Sequence, residues 1–192
     1  RNMTTLPYRE LLSGDRPMKS LLKGGRSKAG RNAFGRVTVR HQGGGHKKRM
    51  RNVDFRYEKM NIPARVETIE YDPYRTGFIA RVVYADGERR YVLAPKDLNV
   101  GDTYVVGEDA PIKVGNRLPL SKIPSGTFVY NVELKAGAGS RLARSAGNYA
   151  EVVAHDAGFT QIKLPSTEIR KVVDKAWASI GAVGNENSRL VK

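Results

Sequence analysis

Eight cationic side chains, Arg31, Arg36, Arg40, Lys47, Lys48, Arg49, Arg51 and Arg56, stand within residues 30–56 against one carboxylate, Asp54. The run Gly43, Gly44, Gly45 interrupts them, flanked by His41 and His46. These residue types suit a phosphate backbone. Arginine forks bind phosphate oxygens through two parallel hydrogen bonds, and glycines let the main chain turn tightly and present its N–H groups to an anion. A solvated basic loop would have a similar composition. The difference is that Val37, Val39, Val53 and Phe55 are spaced among the charges as in ordered strands. A second glycine-rich basic stretch, residues 136–148, carries Arg141, Arg144 and Ser145.

The charge is unevenly spread. Of a net +15 over 192 residues, the first 56 residues contribute 15 basic and 3 acidic side chains, so the body behind them is nearly balanced. A polyanionic partner follows. No apolar run approaches the ~20 residues of a spanning helix, and the N-terminal region is too rich in glycine and proline for a long amphipathic one. With no cysteine there is no disulfide, cysteine-bound metal or cysteine nucleophile. The sequence opens at Arg1 rather than methionine, which leads one to expect processing or further residues upstream.

These side chains must be positioned by short strands. Residues 1–29 alternate Leu11-Leu12 and Leu21-Leu22 with Pro7, Gly14, Pro17, Gly24 and Gly25, and read as an extended arm shaped by what it binds, with the leucine pairs as anchors. Strands are expected at 37–41, 52–57 and 64–71, the last with Val66, Ile69 and Tyr71 available for burial. Residues 78–84 and 88–94 form a hairpin across Ala85-Asp86-Gly87. Residues 107–124 read as a turn-rich connector, followed by strands at 128–135, 149–155, 159–164 and 168–173. The tail from Gly181 shows no core-building pattern. The fold class is therefore all-β, with an OB-type barrel followed by an SH3-like barrel. Its expected parts are an arm (1–35), an OB-fold domain (36–110), a connector with the SH3-like barrel (111–185) and a tail (186–192).

Enzymatic motifs are not satisfied. His41 and His46 lie five apart with no third metal ligand, and Gly43–Lys47 lacks the spacing and the Ser/Thr of a P-loop. A nuclease needs clustered carboxylates for its metal ions. No cofactor, metal or small-molecule substrate is expected.

The G-R-N-A-F-G-R stretch at 30–36, followed by Thr38, Arg40-His41 and Gly43-Gly44-Gly45-His46-Lys47, resembles the L-two family of large-subunit ribosomal proteins, bacterial and organellar type. The likeness continues through I-E-Y-D-P-Y-R (69–75, with Tyr74 where the family usually has asparagine), D-G-E-R-R-Y-V-L-A-P (86–95), I-K-V-G-N (112–116), L-A-R-S-A-G (142–147) and G-A-V-G-N (181–185). The resemblance implies a structural protein that binds large-subunit ribosomal RNA, supports the peptidyl-transferase region, touches other ribosomal proteins and takes part in association with the small subunit. It also implies RNA contacts at Arg75 and Arg144. Members of the family normally continue into a C-terminal extension with a His-Pro-His-Gly-Gly-Gly stretch, which these 192 residues do not contain; a split gene, a lineage-specific loss or an incomplete chain would each account for the difference, and nothing implied of that extension is carried over to these residues. A mitochondrial ribosome is favoured over a bacterial one. The competing reading is a free RNA-binding translation factor or RNA chaperone with the same two barrels. Tyr8, Phe34 and Tyr57 are candidates for base stacking, and Arg89, Arg90 and Lys96 are equally a solvated face.

Overall fold

The computed structural model describes residues 7–25 and 28–191; residues 1–6 and 26–27 of the expected arm, and the last residue of the tail, lie outside them. The chain orders as a short helix α1 (Tyr8–Leu11), then β1 (Leu22–Gly24), β2 (Arg49–Arg51), β3 (Ala64–Glu70), β4 (Ile79–Tyr84), β5 (Arg89–Leu93) and β6 (Thr103–Tyr104). There follow β7 (Arg117–Pro119), β8 (Phe128–Tyr130), β9 (Val132–Glu133), β10 (Ser140–Leu142), β11 (Ala150–Asp156), β12 (Phe159–Lys163), β13 (Ile169–Val173) and β14 (Trp177–Ile180). The all-β expectation holds.

The first barrel is built on the sheet β5-β4-β3-β6. Its hairpin turns where Asp86-Gly87 directs: Gly87 has φ +82°, and the Asp86 carboxylate accepts the Glu88 N–H at 3.1 Å. Strand β3 buries Ala64, Val66, Thr68 and Glu70, one face of a period-two pattern. Tyr71 therefore points outward, contrary to expectation, and Ile69 is only partly buried. The buried Glu70 carboxylate accepts from Tyr91 Oη (2.8 Å), Thr68 Oγ1 (3.0 Å) and Arg81 (3.3 Å), so its polar atoms are satisfied. Burial pushes the Tyr91 hydroxyl up to about 12.

The arm is not shapeless over its described part. Tyr8 packs its ring against Tyr71 and Phe78, Leu12 rests on the barrel core, and Ser13 exchanges two hydrogen bonds with the Ile69 backbone. Strands β1 and β2 then pair antiparallel, Leu22 opposite Arg51. The leucine anchors expected from the sequence are thus seen at Leu12. Residues 52–57, expected as a strand, reduce to one parallel bridge between Val53 and Tyr91. Tyr57 leaves that path with φ +55° and drives its ring inward.

The second barrel is built on the sheet β13-β12-β11-β8-β14-β7 with the pair β9–β10 beside it. Two of its strands come from stretches that sequence reading left blank. β7 lies inside the supposed connector and is fully buried. β14, Trp-Ala-Ser-Ile, sits between β7 and β8, with Ala178 and Ser179 small enough to hide the alternation.

One charged group sits at the junction of the barrels. Arg117 on β7 is 1% exposed and hydrogen-bonds the carbonyls of Asn131 (2.8 Å) and Trp177 (3.3 Å) and the Glu133 carboxylate (3.1 Å). Its guanidinium lies 4.6 Å from the ring centre of Tyr57, which the first barrel supplies. Tyr57 Oη in turn accepts from Asn131 Nδ2 at 2.9 Å. Burial raises the pKa of Tyr57, Tyr104 and Tyr130 and keeps these hydroxyls neutral.

The tail corrects its reading as well. Val183 is fully buried with Leu93 and Tyr130, Gly184 N–H donates to Ala94 O (3.0 Å), and Asn185 Nδ2 donates to Thr76 O (2.6 Å). Residues 182–185 therefore strap the second barrel to the first. A side chain at Gly184 would press within 3.2 Å of the Pro95 carbonyl, which is why the strap runs through glycine.

Glu133→Ala leaves the Arg117 charge buried without its carboxylate, and guanidinium unfolding should show a loss of about 3–5 kcal/mol. The double change Arg117→Met with Glu133→Leu removes both charges and should lose clearly less. Equal losses would mean that the pair is not the source of the effect.

Candidate nucleic-acid interface

Residues 28–39 form a compact loop rather than the expected strand at 37–41. Thr38 and Val39 both donate their N–H to Gly30 O, and Asn32 Oδ1 accepts from the N–H groups of Phe34 and Arg36. A Cβ on Gly30 would stand 2.1 Å from Val39 O, so only glycine fits where the loop closes. Val37 and Val39 are exposed, and His41 has φ +62°, which no strand tolerates. The valine alternation was real, but among the described residues it yields one isolated antiparallel bridge, Val37 to Arg31, and no ladder.

The consequence is a set of cations held out from the body. Every residue from 31 to 50 is exposed. Among the described residues Arg31, Arg36, Arg40, Lys47, Lys48 and Arg49 make no ion pair, while the main chain of 40–48, with Gly43, Gly44 and Gly45, makes no hydrogen bond to them. His41 and His46 are exposed on the same stretch. Arg51 differs: it is half-buried and turns back onto the Arg49 carbonyl at 2.8 Å.

The body treats its charges differently. Arg89 and Arg81 share Glu67, holding its carboxyl below the usual range; Arg90 pairs with Asp54 and Glu88, and Lys96 with Glu186. Arg89, Arg90 and Lys96 thus belong to a paired surface, worth little individually.

The two barrels bring a second group of cations together. Arg75, from the Asp72-Pro73-Tyr74-Arg75 turn, and Arg144, from the second glycine-rich loop, both face the ring of Phe55, at 5.3 and 4.7 Å from its centre. The buried Asp72 carboxylate holds Arg75 Nε at 2.5 Å. Among the described residues Arg144 donates a hydrogen bond to the Ser140 carbonyl (3.3 Å), and its pKa is lowered first by burial and then by the charges of Arg75 and Arg141. The Asp72 carboxylate thus pairs with Arg75, while among the described residues Arg141 and Arg144 make no ion pair. The loop is fixed by Ala146 N–H donating to Thr76 Oγ1 and by Asn148 N–H donating to Ser145 O, which leaves the Ser145 side chain exposed.

The stacking candidates divide. Tyr57 is in the core under Arg117 and Tyr8 is wedged between Tyr71 and Phe78, so neither offers a free face. Phe34 is 89% exposed beside Arg36. Sequence reading missed Phe55, which joins Arg75 to Arg144, 69 positions apart, and no local pattern could have revealed that meeting. Among the described residues no group of three or more His, Asp or Glu is placed to hold a metal. One Asp-Thr-His chain exists, but the buried Thr160 hydroxyl donates to Asp174 at 2.5 Å and His155 Nε2 faces the Ile123 carbonyl. Thr160 is therefore not set up as a nucleophile.

Two family models match the chain. Residues 18–106 match the one described as Ribosomal Proteins L2, RNA binding N-terminal domain, and residues 113–192 the one described as Ribosomal Proteins L2, C-terminal domain. The matches are separated by residues 107–112, shortly before β7, where the chain passes from one barrel to the other.

Arg144→Ala should weaken binding to a large-subunit ribosomal RNA fragment by about 1.5–3 kcal/mol, the usual worth of a charge-assisted hydrogen bond. A titration with an unchanged Kd and an unchanged melting temperature would reduce Arg144 to packing on Phe55.

Proposed function

The chain belongs to the ribosomal protein L2 family, and from that premise we propose that it clamps large-subunit ribosomal RNA with two groups of cations set on one rigid two-barrel body. The family establishes the broad role: a structural, RNA-binding constituent of the large ribosomal subunit, with an OB-fold barrel followed by an SH3-like barrel. A free, exchanging RNA-binding factor is not favoured.

The observation that carries the proposal is the contrast in charge pairing. Arg31, Arg36, Arg40, Lys47, Lys48 and Arg49 have no ion-pair partner among the described residues, beside a body whose arginines are largely neutralised. Phosphates are the counter-charge this surface fits. The main chain of Gly43, Gly44 and Gly45, which makes no hydrogen bond among the described residues, adds N–H donors, with His41, His46 and Arg51 alongside. Arg75, Arg141, Arg144 and Ser145 form the second contact.

The finer parts of the role rest on the resemblance: support of the RNA around the peptidyl-transferase region and contact with the small subunit. Chemistry in that setting belongs to RNA, and the protein acts by fixing geometry. The working division is the arm (1–35), the first barrel (36–110), the second barrel with its connector (111–185) and the tail (186–192). The arm acts together with residues 36–51, which stand off the barrel. A mitochondrial ribosome is the working setting, which recovery from purified mitochondria would establish.

With about 6 to 10 phosphates contacted, affinity for naked ribosomal RNA should fall roughly 10³- to 10⁵-fold between about 50 and 200 mM salt, by analogy with duplex DNA. Binding that is nearly independent of salt would contradict a phosphate clamp.

A further inference from the structure

A groove of about 800 Å³ opens where the β1–β2 ribbon meets the Asp72–Arg75 turn, with Gly25, Gly44, Gly45, Lys47, Lys48 and Tyr74 around it. Its size falls in the range of small-molecule sites, and its chemistry is mixed. Glycine main chain, the His46 imidazole, two adjacent lysines and an aromatic ring all contribute to its lining. The pairing of Gly24 with Arg49 sets residue 25 beside the lysines.

Tyr74 is held for display. Its N–H donates to Asp72 Oδ1 at 2.9 Å, the same buried carboxylate binds Arg75 Nε, and the chain therefore cannot relax at this turn. The side chain is 50% exposed and makes no ring–ring contact with the described residues, unlike Tyr8, Tyr71 and Phe78, which cover one another. A Cβ on Gly25 would stand 3.5 Å from Tyr74 Oη, an ordinary contact distance, so the hydroxyl end of the ring lies against residue 25. Lys47 and Lys48 have no ion-pair partner among the described residues.

We propose that this groove takes one unpaired nucleotide of the RNA, its base stacked on the Tyr74 ring and its phosphate held by Lys47, Lys48 and the N–H groups of Gly44 and Gly45. The proposal deepens the RNA-clamp reading and rests on it. A base inside a duplex has both faces covered, so the ring selects single-stranded RNA, whereas lysines alone bind either form. Stacking releases no counterions, so the ring contributes affinity without contributing to the salt slope.

The test uses the full chain with a single-stranded oligoribonucleotide and a duplex of equal length, each titrated over a range of salt. Tyr74→Leu should weaken binding of the single strand by roughly 5- to 100-fold, the usual worth of one base–aromatic stack. The salt slope and the duplex Kd should stay unchanged, and Tyr74→Phe should bind as the unaltered chain. Lys47→Ala with Lys48→Ala should lower the slope for both RNAs. An oligonucleotide with abasic positions, titrated against the unaltered chain, should show the same loss without relying on any variant's folding. Equal binding of the intact and abasic strands, or an equal loss of strand and duplex in Tyr74→Leu, would overturn the stacking site and leave the phosphate clamp standing. No binding of either RNA by the unaltered chain would overturn both.

Discussion

The burial of one guanidinium, that of Arg117, is the constraint on which the arrangement depends. A charge taken out of water at this depth costs several kcal/mol unless it is paired and its hydrogen bonds are filled. Glu133, two backbone carbonyls and the face of Tyr57 meet that demand together. Tyr57 comes from the first barrel and the remaining groups from the second. The solvation requirement of a single side chain therefore locks two domains at one angle. Residues 182–185 add a backbone strap on another side of the same junction.

Function follows from that rigidity. The Phe55 ring receives Arg75 from the first barrel and Arg144 from the second, and this meeting exists only if the barrels do not swing. A flexible pair of domains would have to order itself on binding and would lose affinity to that ordering. Here the spacing between cations is set before RNA arrives. Repulsion among Arg75, Arg141 and Arg144 is tolerated in the free protein, and a phosphate is the group that would relieve it.

Local chemistry was readable and long-range closure was not. The Asp86-Gly87 hairpin, the strands β4, β5, β11, β12 and β13, and the basic glycine run could be read from composition and period, because each depends on neighbours in sequence. The motifs in order identified the family. In contrast, Arg117 fell inside a stretch read as a turn-rich connector, and Trp177–Ile180 fell in a stretch assigned to no strand. Both are fixed by partners dozens of residues away. The opposite error came at Val37 and Val39, whose alternation is that of a strand although the described residues form there a single bridge, Val37 to Arg31. At the candidate interface, Gly43, Gly44 and Gly45 were legible as backbone devices, while the role of Gly30 and the convergence of Arg75 and Arg144 on Phe55 were visible only in the fold.

The central claim is that the unpaired cations of residues 31–49 are the groups covered by RNA. The most direct measurement is residue-resolved chemical labelling of lysine and arginine, read by mass spectrometry, on the free chain and on the intact large ribosomal subunit. Arg31, Arg36, Arg40, Lys47, Lys48 and Arg49 should react readily in the free chain and be protected in the subunit, with protection lost after ribonuclease treatment. Equal labelling of these six residues in both states would contradict the account.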